Sequence, residues 1–152
     1  MSPRVFATLD DFRAACGEEL GVGEWVEITQ ERVNAFADVT EDWQWIHVDA
    51  ERSAQGPWGA PIAHGYLTLS LIPRLGGEIF RVQGARMGVN YGLDKVRFPQ
   101  PVTVGSYLRA SATLTEVSEV PAGLQAVVRY VVEIRGQSKP ACVAETIRLL
   151  VA

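Results

Sequence analysis

The sequence predicts an α+β fold in which a curved antiparallel sheet wraps around one long buried helix. Three observations predict it. The segment HGYLTLSLIPRLGGEIF, residues 64–80, carries apolar residues on almost every side, and a helix apolar all round is a buried helix. After Gly84 the apolar period changes from helical spacing to two, which marks strands. The links VPAGL and RGQSKP have hairpin composition, so the later strands run antiparallel to one another. A concave apolar sheet face and a helix that needs cover on most sides satisfy each other.

The elements follow in order. Thr8 is placed to cap a short helix, with Asp11 three residues later. GEWVEI, residues 23–28, reads as a short strand. Thr29 then caps QERVNAFADVTE, where Val33, Phe36, Ala37 and Thr40 share one face at helical spacing. Asp42 to His47 leave the end of that helix in a loop, and Asp49 caps a further turn, AERSAQ. GPWGAPIAHG is rich in Gly and Pro and reads as an irregular connection. In the central helix, Leu67, Leu71, Ile72, Leu75 and Ile79 give the period, while Tyr66 and Leu69 add apolar bulk elsewhere. Pro73 should kink it or end its first half, and Gly76-Gly77 weakens its last turns.

Four strands complete the reading. MGVNYGLDKVRF has a break near Gly92. SYLRASATLTEV sets Leu108, Ala110, Ala112 and Leu114 on one face. GLQAVVRYVVEIR does the same with Leu124, Ala126, Val128, Tyr130, Val132 and Ile134. ACVAETIRLLVA sets Val143, Ile147, Leu149 and Val151 together, with Glu145 as an exception. No repeat, low-complexity tract or linker interrupts the pattern, so one domain over 1–152 is expected.

Composition narrows the function. The chain has 152 residues, 47% hydrophobic and 21% charged, and a net charge of −4 with no basic run. These values fit a soluble globular protein and argue against a nucleic-acid or anionic-membrane surface. Two cysteines, Cys16 and Cys142, lie far apart with no metal-ligand spacing, which argues against structural zinc; no cofactor is expected. The first residues lack an apolar signal region, and the longest apolar run falls short of the roughly 20 residues a membrane span needs. The cytoplasm is the compartment expected.

One stretch carries chemistry. EDWQWIHVD, Glu41 to Asp49, places a carboxylate (Asp42), a carboxamide (Gln44) and an imidazole (His47) within six residues, with two tryptophans between them. Asp alone at such a place is a common helix stop, and His alone is commonly a satisfied core residue. Together with Gly65 at the start of an apolar helix, they resemble a known family. DWQWIHVD is similar to the Asp-x-Asn-Pro-x-His-x-Asp signature of the MaoC-like, or hydratase 2, proteins of the hot-dog fold. PIAHG followed by an apolar helix resembles that family's next segment, and the form Gln-Trp-Ile-His with HGYLTLSL is similar to the NodN-like branch. The sequence departs from the signature at Gln44, where the family has Asn, and at Trp45, where it has Pro.

The resemblance implies (R)-specific hydration of a trans-2-enoyl-CoA, or the reverse dehydration of a 3-hydroxyacyl-CoA, by a homodimer. Asp42 and His47 match the catalytic pair. Gly65 matches the position whose backbone N–H serves the thioester oxygen, and Gln44 is a candidate to orient His47 or hold the water. The chemistry fits these types. Water must lose a proton as it attacks the β-carbon, a proton must reach the α-carbon, and charge on the thioester oxygen must be stabilised. Trp43, Trp45 and Trp58 are read as packing that dries the site. His64 is read as a tie between loop and helix start, and Arg97 as a strand or loop anchor. The alternatives are a hot-dog acyl-CoA thioesterase and an acyl-thioester-binding protein without turnover.

Overall fold

The computed structural model describes residues 2–152. Its strands are β1 (Arg4–Phe6), β2 (Glu19–Val22), β3 (Val26–Glu27), β4 (Phe80–Val82), β5 (Met87–Arg97), β6 (Tyr107–Val120), β7 (Gly123–Ile134) and β8 (Cys142–Val151). Its helices are α1 (Leu9–Ala14), α2 (Gln30–Thr40), α3 (Trp45–Val48), α4 (Ala50–Ala54), α5 (Gly65–Ser70) and α6 (Ile72–Gly76). The main sheet is antiparallel in the order β2-β6-β7-β8-β5, with β3 also on β6, and the hydrophobic core lies between it and the helices. This is the hot-dog arrangement expected.

The caps form as their residue types dictate. Thr8, Thr29 and Asp49 each accept a hydrogen bond from the backbone N–H three residues on, at 3.0, 3.1 and 3.0 Å, and so satisfy one of the free donors of a helix start. The central helix breaks at Leu71, just before Pro73, which can neither donate nor continue the first half. It is less enclosed than its composition predicts: Leu67, Leu71, Ile72 and Leu75 are buried, whereas Tyr66 is exposed.

The period-two patterns on β6 and β7 point into the core as expected, and Leu108, Leu114, Val128 and Val132 are fully buried. Each such side chain contributes about 1.5–3 kcal/mol on leaving water. β5 carries a bulge between Asn90 and Gly92, at the break that Gly92 marks.

Three expectations need correction. On β8 the inward face is the other one. Cys142, Ala144, Thr146, Arg148 and Leu150 stand opposite the core residues Val132, Tyr130, Val128, Ala126 and Leu124 of β7, and directly opposed residues share a face. The strand 23–28 shrinks to Val26–Glu27, while β2 and the parallel β1–β4 pair form where no alternation marks them. The segment ending at His47 is not loop throughout: α3 takes its second half as a single turn.

Both cysteines are free, Cys16 exposed and Cys142 buried. Burial pushes the Cys142 thiol up to about 11, so it stays protonated and unreactive. A thiol reagent at neutral pH should therefore label one cysteine in the native protein and two after denaturation; rapid native labelling of both would contradict this packing.

Candidate active site

The site is built where α2 stops. Glu41 takes a left-handed conformation with φ 59°, and the N–H groups of Glu41 and Asp42 both turn back to the Ala37 carbonyl. A non-glycine residue there costs roughly 1–2 kcal/mol, and such strain concentrates where a side chain has to be aimed. Here it reverses the chain and throws Asp42 out beside the start of α5.

His47 comes from α3, and Gln44 serves as its N-cap. The His47 Nδ1–H donates to the Ile62 carbonyl at 2.6 Å. That bond assigns the proton of the neutral ring to Nδ1 and leaves a lone pair on Nε2. The His47 ring stacks on His64 with centroids 3.8 Å apart and planes inclined by 22°. His64 donates through Nε2 to the Asp42 carbonyl at 3.1 Å, which is the tie between loop and helix start that the sequence suggests. Its Nε2 also lies 3.9 Å from the Asp42 carboxylate, and its Nδ1 is buried with no hydrogen-bond partner. Phe36 of α2 closes over His64 with ring centroids 4.9 Å apart.

Asp42, His47 and His64 each bring one polar atom to within 4.8 Å of the others. The imidazoles are walled off, at 7% and 2% exposure, while the Asp42 side chain is 50% exposed. The group is open on the carboxylate side alone, which suits a small polar reactant approaching from solvent. A shared metal ion suits it poorly. Ring planes inclined by 22° and 3.8 Å apart do not meet within about 2 Å of either ring, as zinc–imidazole bonds require.

Burial lowers the pKa of His47 from its ordinary 6.5. The hydrogen bond to Ile62 opposes this, His64 adds to it, and Asp42 opposes it. Folding therefore favours the neutral ring. Below pH about 6.5 the unfolded chain takes up a proton that the folded one resists, so stability falls with pH from there to the lowered folded value. Unfolding curves taken above and below that window should show this acid loss in wild type and less of it in His47→Gln; equal losses would remove His47 as its source.

Gly65 opens α5, whose first N–H groups have no acceptor within the helix. A cavity of about 300 Å³ lies against it, lined by Trp58, Ile62, Thr68, Phe98 and Val102 among others. Neither Asp42 nor His47 lines that cavity; His64, adjacent in sequence to Gly65, links the two sides. Phe98 sits so close that a Cβ on Gly65 would meet its ring at 3.1 Å.

The remaining expected residues fall as follows. The Gln44 side chain is exposed and caps nothing; its backbone carbonyl, not its carboxamide, reaches α3, accepting from the His47 N–H at 3.0 Å. Trp43 is exposed and donates to Asp38 at 2.8 Å, so it does not dry the site; Trp45 is half-buried under Arg52, and Trp58 borders the cavity. The Arg97 guanidinium caps the carbonyl of Val96 at 2.7 Å. Sequence reasoning missed the Ile62 carbonyl, which no residue type announces, and the stacking of the two histidines.

The family model of the MaoC-like domain matches residues 11–136. The chain belongs to the MaoC-like family. Within that family it is 53% identical over 150 residues to 3-hydroxyacyl-thioester dehydratase Z of Mycobacterium tuberculosis, covering 98% of this chain and 99% of that protein. It is 40% identical over 146 residues to nodulation protein N of Rhizobium leguminosarum bv. viciae, covering 94% and 91%. Among solved structures, the (R)-hydratase of Aeromonas caviae superposes with a TM-score of 0.69 at 25% identity, covering 86% of this chain and 96% of that one. These MaoC-like relatives align across nearly the whole chain, so the resemblance carried by DWQWIHVD and PIAHG extends far beyond the two motifs. Among the described residues no helix is long and apolar enough to cross a membrane.

Proposed function

We propose that this MaoC-like chain is a hydro-lyase acting on acyl thioesters, and that it adds water reversibly and (R)-specifically across the double bond of a trans-2-enoyl-CoA. The observation that carries the proposal is the approach of Asp42 and His47, within 4.8 Å of each other beside the helix start at Gly65. In hydration the two share one water. A proton leaves the water, hydroxide oxygen bonds to the β-carbon, and a proton is returned to the α-carbon; dehydration is the reverse. The His47 Nε2 lone pair and the Asp42 carboxylate are the groups able to exchange those protons. The Gly65 N–H answers the charge that grows on the thioester oxygen. Support also comes from the M. tuberculosis relative, whose name states dehydration of a 3-hydroxyacyl thioester, and the A. caviae relative, named an (R)-hydratase.

The working unit in this proposal is a homodimer. Among the described residues β5 ends the sheet with β8 as its one partner, and Met87, Val89, Tyr91 and Leu93 along it are exposed. A long apolar edge of this kind is ordinarily covered. Light scattering should give twice the monomer mass.

Crotonyl-CoA tests the reaction. Loss of its conjugated absorbance without release of free thiol is the expected result. Thiol release without that loss would establish the thioesterase alternative. Tight binding with neither signal would establish a binding protein.

A further inference from the structure

A second cavity, of about 860 Å³, lies between α6, β4, β5 and β8, and none of Asp42, His47, His64 or Gly65 lines it. Its walls include Ile72, Phe80, Leu150 and Leu93, the last on the β5 edge that the proposed dimer covers. Its charged lining residues are Arg81 and Arg148, with no carboxylate among them, on a chain whose net charge is −4. Such a chamber repels cations and attracts anions.

Arg148 is the unusual member. It stands opposite Ala126 of β7 and Asn90 of β5, on the inward face of the sheet, where an alternating strand calls for an apolar residue. Its Nε is buried without a hydrogen-bond partner, and no ion pair or hydrogen bond holds the guanidinium among the described residues. Its Cζ lies 5.8 Å from the Phe80 ring centroid. The residue as a whole is half-buried, and leaving its enclosed Nε–H without an acceptor carries a cost that a bound anion would relieve. Two glycines keep the space around the polar groups open. A Cβ on Gly88 would come within 3.2 Å of Arg148 Nη2, and one on Gly76 within 2.9 Å of the Tyr130 hydroxyl. Burial also raises the pKa of Tyr130, so that hydroxyl remains a donor.

We propose that this cavity binds an aliphatic chain ending in a carboxylate, with Arg148 as its bidentate counter-ion. Apolar walls suit the chain, and the planar fork of a single arginine matches a planar carboxylate. The carboxylate has two possible sources: a free fatty acid, or the far end of a dicarboxylic acyl thioester. The binding claim stands without the hydro-lyase reading; the second source rests on it.

Calorimetric titration of the intact protein with decanoate and with decanol tests the binding. Decanoate should bind about tenfold or more tightly than decanol, and Arg148→Met should abolish that preference. The wild-type comparison needs no variant, so it stands even if Arg148→Met is poorly folded. Equal affinity for the two probes in wild type, or an unchanged preference in folded Arg148→Met, would overturn the proposal. Hydration of the CoA thioesters of trans-2-decenoic and trans-2-decenedioic acid then separates the sources. If KM in Arg148→Met rises for the diacid thioester alone, the carboxylate is the substrate's own; if neither KM changes while decanoate binding is lost, it is a free acid. Absence of all turnover would count against the hydro-lyase reading and leave the binding result intact.

Discussion

His47→Gln and Asp42→Asn should each lower kcat for enoyl-thioester hydration by about 10²–10⁴, the range over which a positioned acid–base group acts. Glutamine is the informative replacement at His47. Its amide can still donate to the Ile62 carbonyl, which now holds the ring at 2.6 Å, but it cannot take a proton at neutral pH. Asparagine at Asp42 is isosteric and retains an oxygen for the Gln44 N–H, which lies 3.4 Å away. Half of the Asp42 side chain is in solvent, so folding should change by no more than about 0.5 kcal/mol. In the proposed mechanism the two groups serve one water and act as a unit, so the double variant should be little worse than the more damaged single one. Steady-state kinetics beside thermal unfolding checks all three. A single variant that turns over at the wild-type rate would remove its residue from the reaction.

What the sequence makes legible follows from which forces are local. Thr8, Thr29 and Asp49 act on donors three residues away, so their caps can be read directly. β6 up to Leu114, and most of β7, alternate because one face meets the core there. β8 misleads because Thr146 and Arg148 occupy its inward face while Ile147 and Leu149 lie outward. Hydrophobic alternation then points the wrong way, and it does so where a cavity with a charged lining has to be furnished. Local rules fail most informatively at such places. The α3 turn is illegible for another reason. It has four residues and no side-chain cap, and it exists because tertiary contacts hold it, among them the bond from His47 to Ile62. Residue types disclose Asp42 and His47; the carbonyls and ring stacking that aim them depend on partners 15 or more residues away.

The second large effect is expected at Gly65. Gly65→Val should lower kcat by about 10²–10³, the loss seen when an oxyanion donor is removed, with KM less affected. A backbone N–H cannot be deleted by substitution, but it can be covered. Valine crowds the amide on the side of the cavity of about 300 Å³, which in the proposed reaction takes the thioester oxygen. The fold tolerates the change, because Gly65 is not in the left-handed region and the first helical position accepts any side chain but for crowding. The crowding is with Phe98, whose ring a Cβ meets at 3.1 Å; that ring is exposed enough to move. Gly65→Ala combined with Phe98→Leu therefore separates the two causes. If the rate depends on access to the amide, Gly65→Ala alone loses part of the activity, and trimming the ring restores stability but leaves kcat low, because Cβ is fixed on the backbone beside the amide. If instead Gly65 matters only for packing, Phe98→Leu would restore stability and kcat together in both Gly65 variants, and the oxyanion role would have to be given up.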